Sequence, residues 1–399
     1  MRSLLKKIVS LASLSAIAYF CMFFFEAKLA SSIGPESYGS YQYVMSMAIV
    51  LSAFACLGLP QFAVRETKRN FILGNVRDNT IIFFIFPMVI VFLGFILSLF
   101  VSKDIALVTT LISVKLFYRR YYQGVSKLPL GILIDEFLYS IFLMLLVFVL
   151  PYLVPIYYQY FALSLSILLF FLVEMISIRK NIDFSQWEAF KPKKFVLFLL
   201  GGLHFVPFVF SQYGLRKIDS LIIKPLLGDE SVGIYSASMK VSAVIIFVNL
   251  VFNSVVGDKL SELYYKKDFI ALRKLFSQSI KLSTAVGFLI SVVFVYFSEN
   301  IIALFYGEEY VESVILLQIL IVGQFINVAS GPSLQLFSLT DESSFIVKIS
   351  MLMLVLSGIL FYFFTARFGL LGSAAAFVTT SLVFRVVVLL QVRKVFYEK

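Results

Sequence analysis

Stretches of membrane-spanning length recur along this 399-residue chain, separated by short polar breaks. A hydrocarbon layer of about 30 Å takes roughly 20 apolar residues per helix. Twelve segments meet that requirement: 8–32, 39–60, 79–101, 104–123, 131–150, 156–178, 195–227, 233–256, 277–298, 311–335, 345–366 and 370–392. The chain is 60% hydrophobic and 14% charged. Soluble domains carry about 25% charged residues, so too little polar surface remains here to coat a globule in water. The reading is an all-α integral membrane protein.

A duplicated motif arranges these spans. Gly34-Pro35-Glu36-Ser37-Tyr38-Gly39-Ser40-Tyr41 is echoed by Gly228-Asp229-Glu230-Ser231-Val232-Gly233-Ile234-Tyr235, both reading G-x-E-S-x-G-x-Y. Ser102-Lys103-Asp104-Ile105-Ala106-Leu107 is echoed at nearly the same offset by Ser298-Glu299-Asn300-Ile301-Ile302-Ala303-Leu304. Long-range self-similarity fixes architecture before any single residue does. It predicts twelve transmembrane helices in two six-helix bundles related by a pseudo-two-fold along the membrane normal. The expected parts are 1–178, a cytoplasmic linker at 179–194, and 195–399. Arg2, Lys6 and Lys7 ahead of the first apolar run imitate a cleaved signal peptide. That run has an internal counterpart at 195–227, so a retained helix is expected.

Lys and Arg concentrate in alternate loops: Arg65, Lys68, Arg69 and Arg77; Arg119, Arg120 and Lys127; Lys191, Lys193 and Lys194; Lys259, Lys266 and Lys267; Arg393 and Lys394. The positive-inside rule then puts both termini in the cytoplasm, with 336–344 the weakest loop of the set. The net charge of +11 is dispersed among these loops, so no nucleic-acid partner is expected. Cys21 and Cys56 lie within apolar runs and suggest packing, not a disulfide or a metal.

Ionisable residues inside the spans are costly and mark interior or watery surfaces. Lys28, Lys115, Arg216, Lys240 and Arg385 form a candidate cationic lining, suited to a phosphate or pyrophosphate. Glu26 and Asp219 stand eight and nine residues before their motif glycines. They are candidates for a coupling cation or proton site, or for structural ion pairs; Arg216 and Asp219 share a helix face at i, i+3. Glu174, Lys217, Arg119 and Arg120 are expected to snorkel to the interface. His204, three residues before Pro207, suggests packing at a bend. Gln318, Gln324, Asn327 and Gln335 suggest hydrogen bonds between helices.

The doubled motif, Gly58-Leu59-Pro60 with Arg65-Glu66, Lys259-Leu260-Ser261-Glu262-Leu263-Tyr264, Phe305-Tyr306-Gly307-Glu308-Glu309-Tyr310 and Gly369-Leu370-Leu371-Gly372-Ser373-Ala374 resemble, in order and spacing, bacterial polysaccharide and O-antigen flippases. These belong to the multidrug/oligosaccharidyl-lipid/polysaccharide (MOP) exporter superfamily. The resemblance implies alternating access. It also implies a cargo of undecaprenyl-pyrophosphate-linked oligosaccharide crossing the inner membrane, and polymerase or assembly proteins as partners. It places Glu26, Lys28, Arg216, Asp219 and Lys240 at charged positions of the first, seventh and eighth helices. The second span lacks the family's mid-membrane basic residue, and the chain is somewhat short. A multidrug cation exporter of the same superfamily would want an acidic cavity. A membrane polymerase or acyltransferase would want a sizeable outer loop or clustered His and Asp groups. Neither pattern is present, so a transporter without cofactor or metal is expected rather than an enzyme.

Overall fold

The computed structural model describes residues 2–72, 76–150, 153–179, 199–338 and 343–398, and every regular element among them is helical. Most of the expected linker at 179–194 lies outside the described residues.

The twelve spans are all present, though two pairs run on as kinked double-length helices. Arg2–Ala55 carries the first two spans and bends at Gly34, where φ is 75° and ψ 169°. Ser343–Glu398 carries the last two and bends at Gly369. Between them come Val76–Leu97, Lys103–Gly124, Leu128–Val149 and Pro155–Arg179, then Val206–Leu227, Asp229–Tyr265, Phe269–Tyr296 and Ser313–Ala329. A 22-residue helix rises ~33 Å at 1.5 Å per residue, enough to cross the hydrocarbon layer.

One departure and one expected break have local causes. The basic stretch after the second span, expected as a loop, is a helix over Leu59–Ile72. Its Phe62, Ala63, Glu66 and Thr67 are buried while Arg65, Lys68 and Arg69 are exposed, the helical period that a charge count overlooks. The seventh span is broken ahead of its proline. Turns at His204 and Phe205 separate a short helical piece at 199–203 from Val206–Leu227, and Pro207 sits in the new first turn, where a missing N–H costs nothing. His204 is exposed, edge-on to Phe205.

The chain packs as two compact units. One holds Ile17–Phe25 and Val44–Lys217; the other holds Met1–Ala16, Glu26–Tyr43 and Ile218–Lys399. The first has an aromatic core of Phe83, Phe86, Phe117, Tyr118, Tyr121, Tyr122 and Phe170. The second is held by Ile223, Tyr235, Leu316, Leu320 and Phe361, with a further cluster around Leu260, Leu272, Phe276 and Phe337. Large side chains such as Phe92, Phe95, Phe100 and Phe363 are left exposed, as lipid-facing positions should be. Lipid is as apolar as leucine, so close backbone packing must hold helices together in a bilayer. Gly94 against Thr110 and Gly124 against Thr67 provide it in the first unit.

Candidate functional site

In the second unit the two motif copies meet each other. Gly34 and Gly228 have nearly the same backbone, φ 75° and ψ 169° against φ 87° and ψ 179°, a region essentially restricted to glycine. The second glycine of each copy faces the start of the other. A Cβ on Gly39 would fall 1.7 Å from the Asp229 carbonyl oxygen, and one on Gly233 would fall 2.0 Å from the Pro35 carbonyl oxygen. The motif therefore encodes a bend followed by a reciprocal backbone contact.

Around that contact sits Glu26, only 2% exposed. Lys240 donates to its Oε1 at 2.9 Å. The Tyr38 hydroxyl donates to Oε2 at 2.7 Å, and the Gln42 amide donates to the same oxygen. Tyr38 is itself enclosed by Tyr41 and Tyr310, and the Tyr310 hydroxyl donates to the Ala30 carbonyl. A buried carboxylate needs a partner charge and filled lone pairs, and Glu26 has both. The lysine is the more accessible member, its side chain 29% exposed.

Arg385 belongs to the same unit and is held differently. Its Nε donates to Asn327 Oδ1 at 2.9 Å, and Asn327 Nδ2 donates to Gln324 Oε1 at 3.2 Å. No carboxylate pairs with Arg385 among the described residues. Asn249 donates to the Asn327 carbonyl and Gln318 to the Ser298 hydroxyl. The amides of this region bind helix to helix, as the sequence suggests; the Gln335 side chain falls outside those described. Lys28 is exposed, and its carbonyl accepts from Ser31 and Ser32. Asp219 is buried and accepts from the Ser220 N–H at 2.7 Å and hydroxyl at 3.3 Å.

The first unit holds Arg216, which is exposed, and Lys115, which is not. Lys115 pairs with Asp135 at 3.2 Å, donates to the Asp135 carbonyl at 3.1 Å, and lies 3.3 Å over the Tyr139 ring centroid. Arg119 pairs with both Asp135 and Glu136. The two acids sit on a π-helical turn, Leu133–Leu138, a distortion frequent at functional sites. Arg119 and Glu174, expected to snorkel, instead take partners inside the unit. Glu174 is buried and accepts from the Tyr121 hydroxyl at 2.9 Å, with Lys127 at 3.8 Å.

The expected set is thus divided. The structure brings Lys240 to Glu26, sets Lys115 in a separate acidic cluster, and leaves Lys28, Arg216 and Arg385 without carboxylates among the described residues. Sequence reasoning missed Tyr38, Gln42, Asp135 and Glu136. The last two stood in plain view as adjacent acids inside the 131–150 run.

Comparison with known proteins defines the class. The chain is similar to the inward-facing form of a multidrug resistance MATE family transporter of the MOP superfamily, with TM-score 0.70 and 14% identity over 96% of this chain and 98% of that one. It is equally similar to the lipid II flippase MurJ in its inward closed form, with TM-score 0.70 and 15% identity over 96% and 87%. A point mutant of the Vibrio cholerae MATE transporter VcmN gives TM-score 0.55 and 12% identity over 99% of each chain. The fold is the twelve-helix MATE/MOP fold, and the protein is a multi-pass membrane protein. Residues 4–256 match the family model described as polysaccharide biosynthesis protein, and residues 208–364 match the MatE model. The chain belongs to the polysaccharide biosynthesis protein family. No curated protein sequence matches it.

Proposed function

We propose that the protein is a flippase for undecaprenyl-pyrophosphate-linked oligosaccharide, moving repeat units of a surface polysaccharide from the inner to the outer leaflet of the bacterial cytoplasmic membrane, with both termini cytoplasmic. The reading is carried by the Lys240–Glu26 pair. A cation held at 2.9 Å by a buried carboxylate, yet 29% exposed, has a partner that an incoming phosphate oxygen can replace. Arg385, which donates to the neutral Asn327 amide and lies 5.6 Å from the Phe384 ring centroid, is a second cation ready for an anion. Phosphate binds such groups through charge-assisted hydrogen bonds. Lys28 is a third cation proposed for the same unit, and Lys115 and Arg216 are the cations proposed for the other. Glu26, once released, and Asp219 are the groups offered to a coupling cation. Rocking of the front six helices (within 1–178) against the back six (within 195–399), joined by the 179–194 linker, would switch access.

The family match and the lipid II flippase among similar folds support a lipid-linked cargo, whereas a multidrug cation would find these cations repulsive. O-antigen is the glycan class suggested by resemblance, with polysaccharide polymerase or assembly proteins as partners and bilayer lipids as surroundings. The test is export of lipid-linked sugar in cells depleted of the native protein. Lys240→Glu and Arg385→Glu should insert normally yet leave lipid-linked intermediate on the cytoplasmic face. Undiminished export by both variants would overturn the reading.

A further inference from the structure

The basic end of the second unit contains a cleft of about 370 Å³ between the Phe269–Tyr296 helix and the last helix of the chain. Three cations line it, Arg273, Lys281 and Arg393, above an apolar floor that includes Phe276 and Leu389, and no acid among the described residues contributes to the lining. The placement follows from helical spacing. Arg273, Ser277 and Lys281 recur at i, i+4 and i+8, so they form one stripe; Leu389 and Arg393 form the facing stripe.

Both stripes continue into apolar surface. Phe288 lies seven residues beyond Lys281, within ~20° of it around the helix. Val386 and Leu382 likewise continue the stripe of Leu389 and Arg393 toward the opposite end. These three side chains are 59%, 46% and 48% exposed. A cationic mouth opening onto an exposed apolar track, on a chain that lives in a bilayer, is complementary to one kind of molecule. We propose that this cleft binds an anionic phospholipid of the surrounding membrane, with its phosphate among Arg273, Lys281 and Arg393 and its acyl chains along Phe288, Val386 and Leu382. Basic pockets between helices at a membrane surface hold acidic headgroups by this chemistry. The site is separate from the Glu26–Lys240 pair and does not depend on the cargo proposed above.

Native mass spectrometry of the full-length protein in detergent tests it, with phosphatidylglycerol and chain-matched phosphatidylcholine as probes. Wild-type protein should retain phosphatidylglycerol and shed phosphatidylcholine. Each cation near a membrane surface contributes roughly fivefold to binding, so R273Q/K281Q/R393Q should lose about a hundredfold in retention. The control K259Q/K266Q/K267Q removes as much charge from another basic stretch and should keep the lipid. R273K/R393K keeps the charge and should keep it too, which separates binding from misfolding. Equal retention of both lipids by wild-type protein, or equal loss in the control triple, would overturn the proposal. So would displacement of phosphatidylglycerol by stoichiometric undecaprenyl pyrophosphate, which would assign the cleft to cargo.

Discussion

The two copies of the motif share a backbone and differ in what they hold. Gly34 and Gly228 bend the chain alike, and Gly39 and Gly233 each admit the other copy's carbonyl. The first copy places Tyr38 and Gln42 on the Glu26 carboxylate. At the same offsets the second copy has Val232 and Ser236, and its nearby acid, Asp219, accepts from Ser220. Duplication therefore supplied the frame twice, while the tyrosine and amide donors to a buried acid belong to the first copy. Mechanical roles should be found in both copies, and the clasp of Tyr38 and Gln42 on a carboxylate in the first.

The largest effect should come from filling the shared contact. Alanine at Gly39 or Gly233 puts a methyl inside bonding range of a carbonyl oxygen, so backbone must shift. Overpacking costs roughly 1–3 kcal/mol where side chains can give way and more where they cannot; the carbonyls here have no flexible end to yield, so these two substitutions fall above that range. Gly39→Ala and Gly233→Ala should lower thermal stability in detergent by similar large amounts. A large loss from one and none from the other would break the equivalence.

Second comes the chemical asymmetry. Glu26→Gln strands Lys240 beside a neutral amide, and breaking a buried pair costs about 3–5 kcal/mol when both members are desolvated. Lys240 is partly exposed, so the lower end applies. Lys240→Met in the Glu26→Gln background should recover part of the loss, giving a coupling of ~1–3 kcal/mol in a double-mutant cycle. Asp219→Asn keeps an oxygen that can still accept from the Ser220 N–H and hydroxyl. Equal penalties for Glu26→Gln and Asp219→Asn would show that both copies carry the charge chemistry.

The bends themselves should matter less. Gly34→Ala and Gly228→Ala force a side chain into a backbone region costing of order 1–3 kcal/mol. At Gly228 nothing lies within 4 Å of the added methyl, whereas at Gly34 it meets a Glu309 oxygen at 3.2 Å. Thermal unfolding should show the two close together, with Gly34→Ala marginally worse.

Much of this frame was legible because it is written in composition and period. Apolar runs of membrane length gave the twelve spans, and G-x-E-S-x-G-x-Y marked where two of them bend and touch. Glycine at both motif positions is a backbone requirement, and such requirements show in sequence. The partners of the charges were not legible. Lys240 and Glu26 are separated by 214 positions, and no local pattern links them. Lys115 and Asp135 are only 20 apart, but the acid was overlooked because a span is read for its hydropathy. Arg119 and Glu174 looked like snorkelling groups by their place near helix ends. Whether such a group turns outward depends on whether a tyrosine or counter-charge waits inside, which is tertiary information.

The smallest effect concerns the acids that follow each motif at the basic ends. Glu66 is buried with Arg65 at 3.3 Å and Arg69 at 3.1 Å. Glu262, after the second copy, is exposed and pairs with Lys266 at 2.6 Å and Lys259 at 2.9 Å. Hydrogen bonds from these two lysines pull its carboxyl down to about 2. A carboxylate with a lowered folded value stabilises the fold at pH above its unfolded value of about 4.3, and that stabilisation fades as pH falls toward 2. Exposed pairs are screened by solvent and salt, so Glu262→Gln should change little at neutral pH. It should flatten the acid limb of stability only below about pH 5, and high salt should erase the difference. Unfolding temperature between pH 7 and 3, at low and high salt, reads this out. An undiminished acid slope in Glu262→Gln would mean that the two lysines do no more for Glu262 than solvent does, leaving buried Glu66 as the acid that anchors its helix.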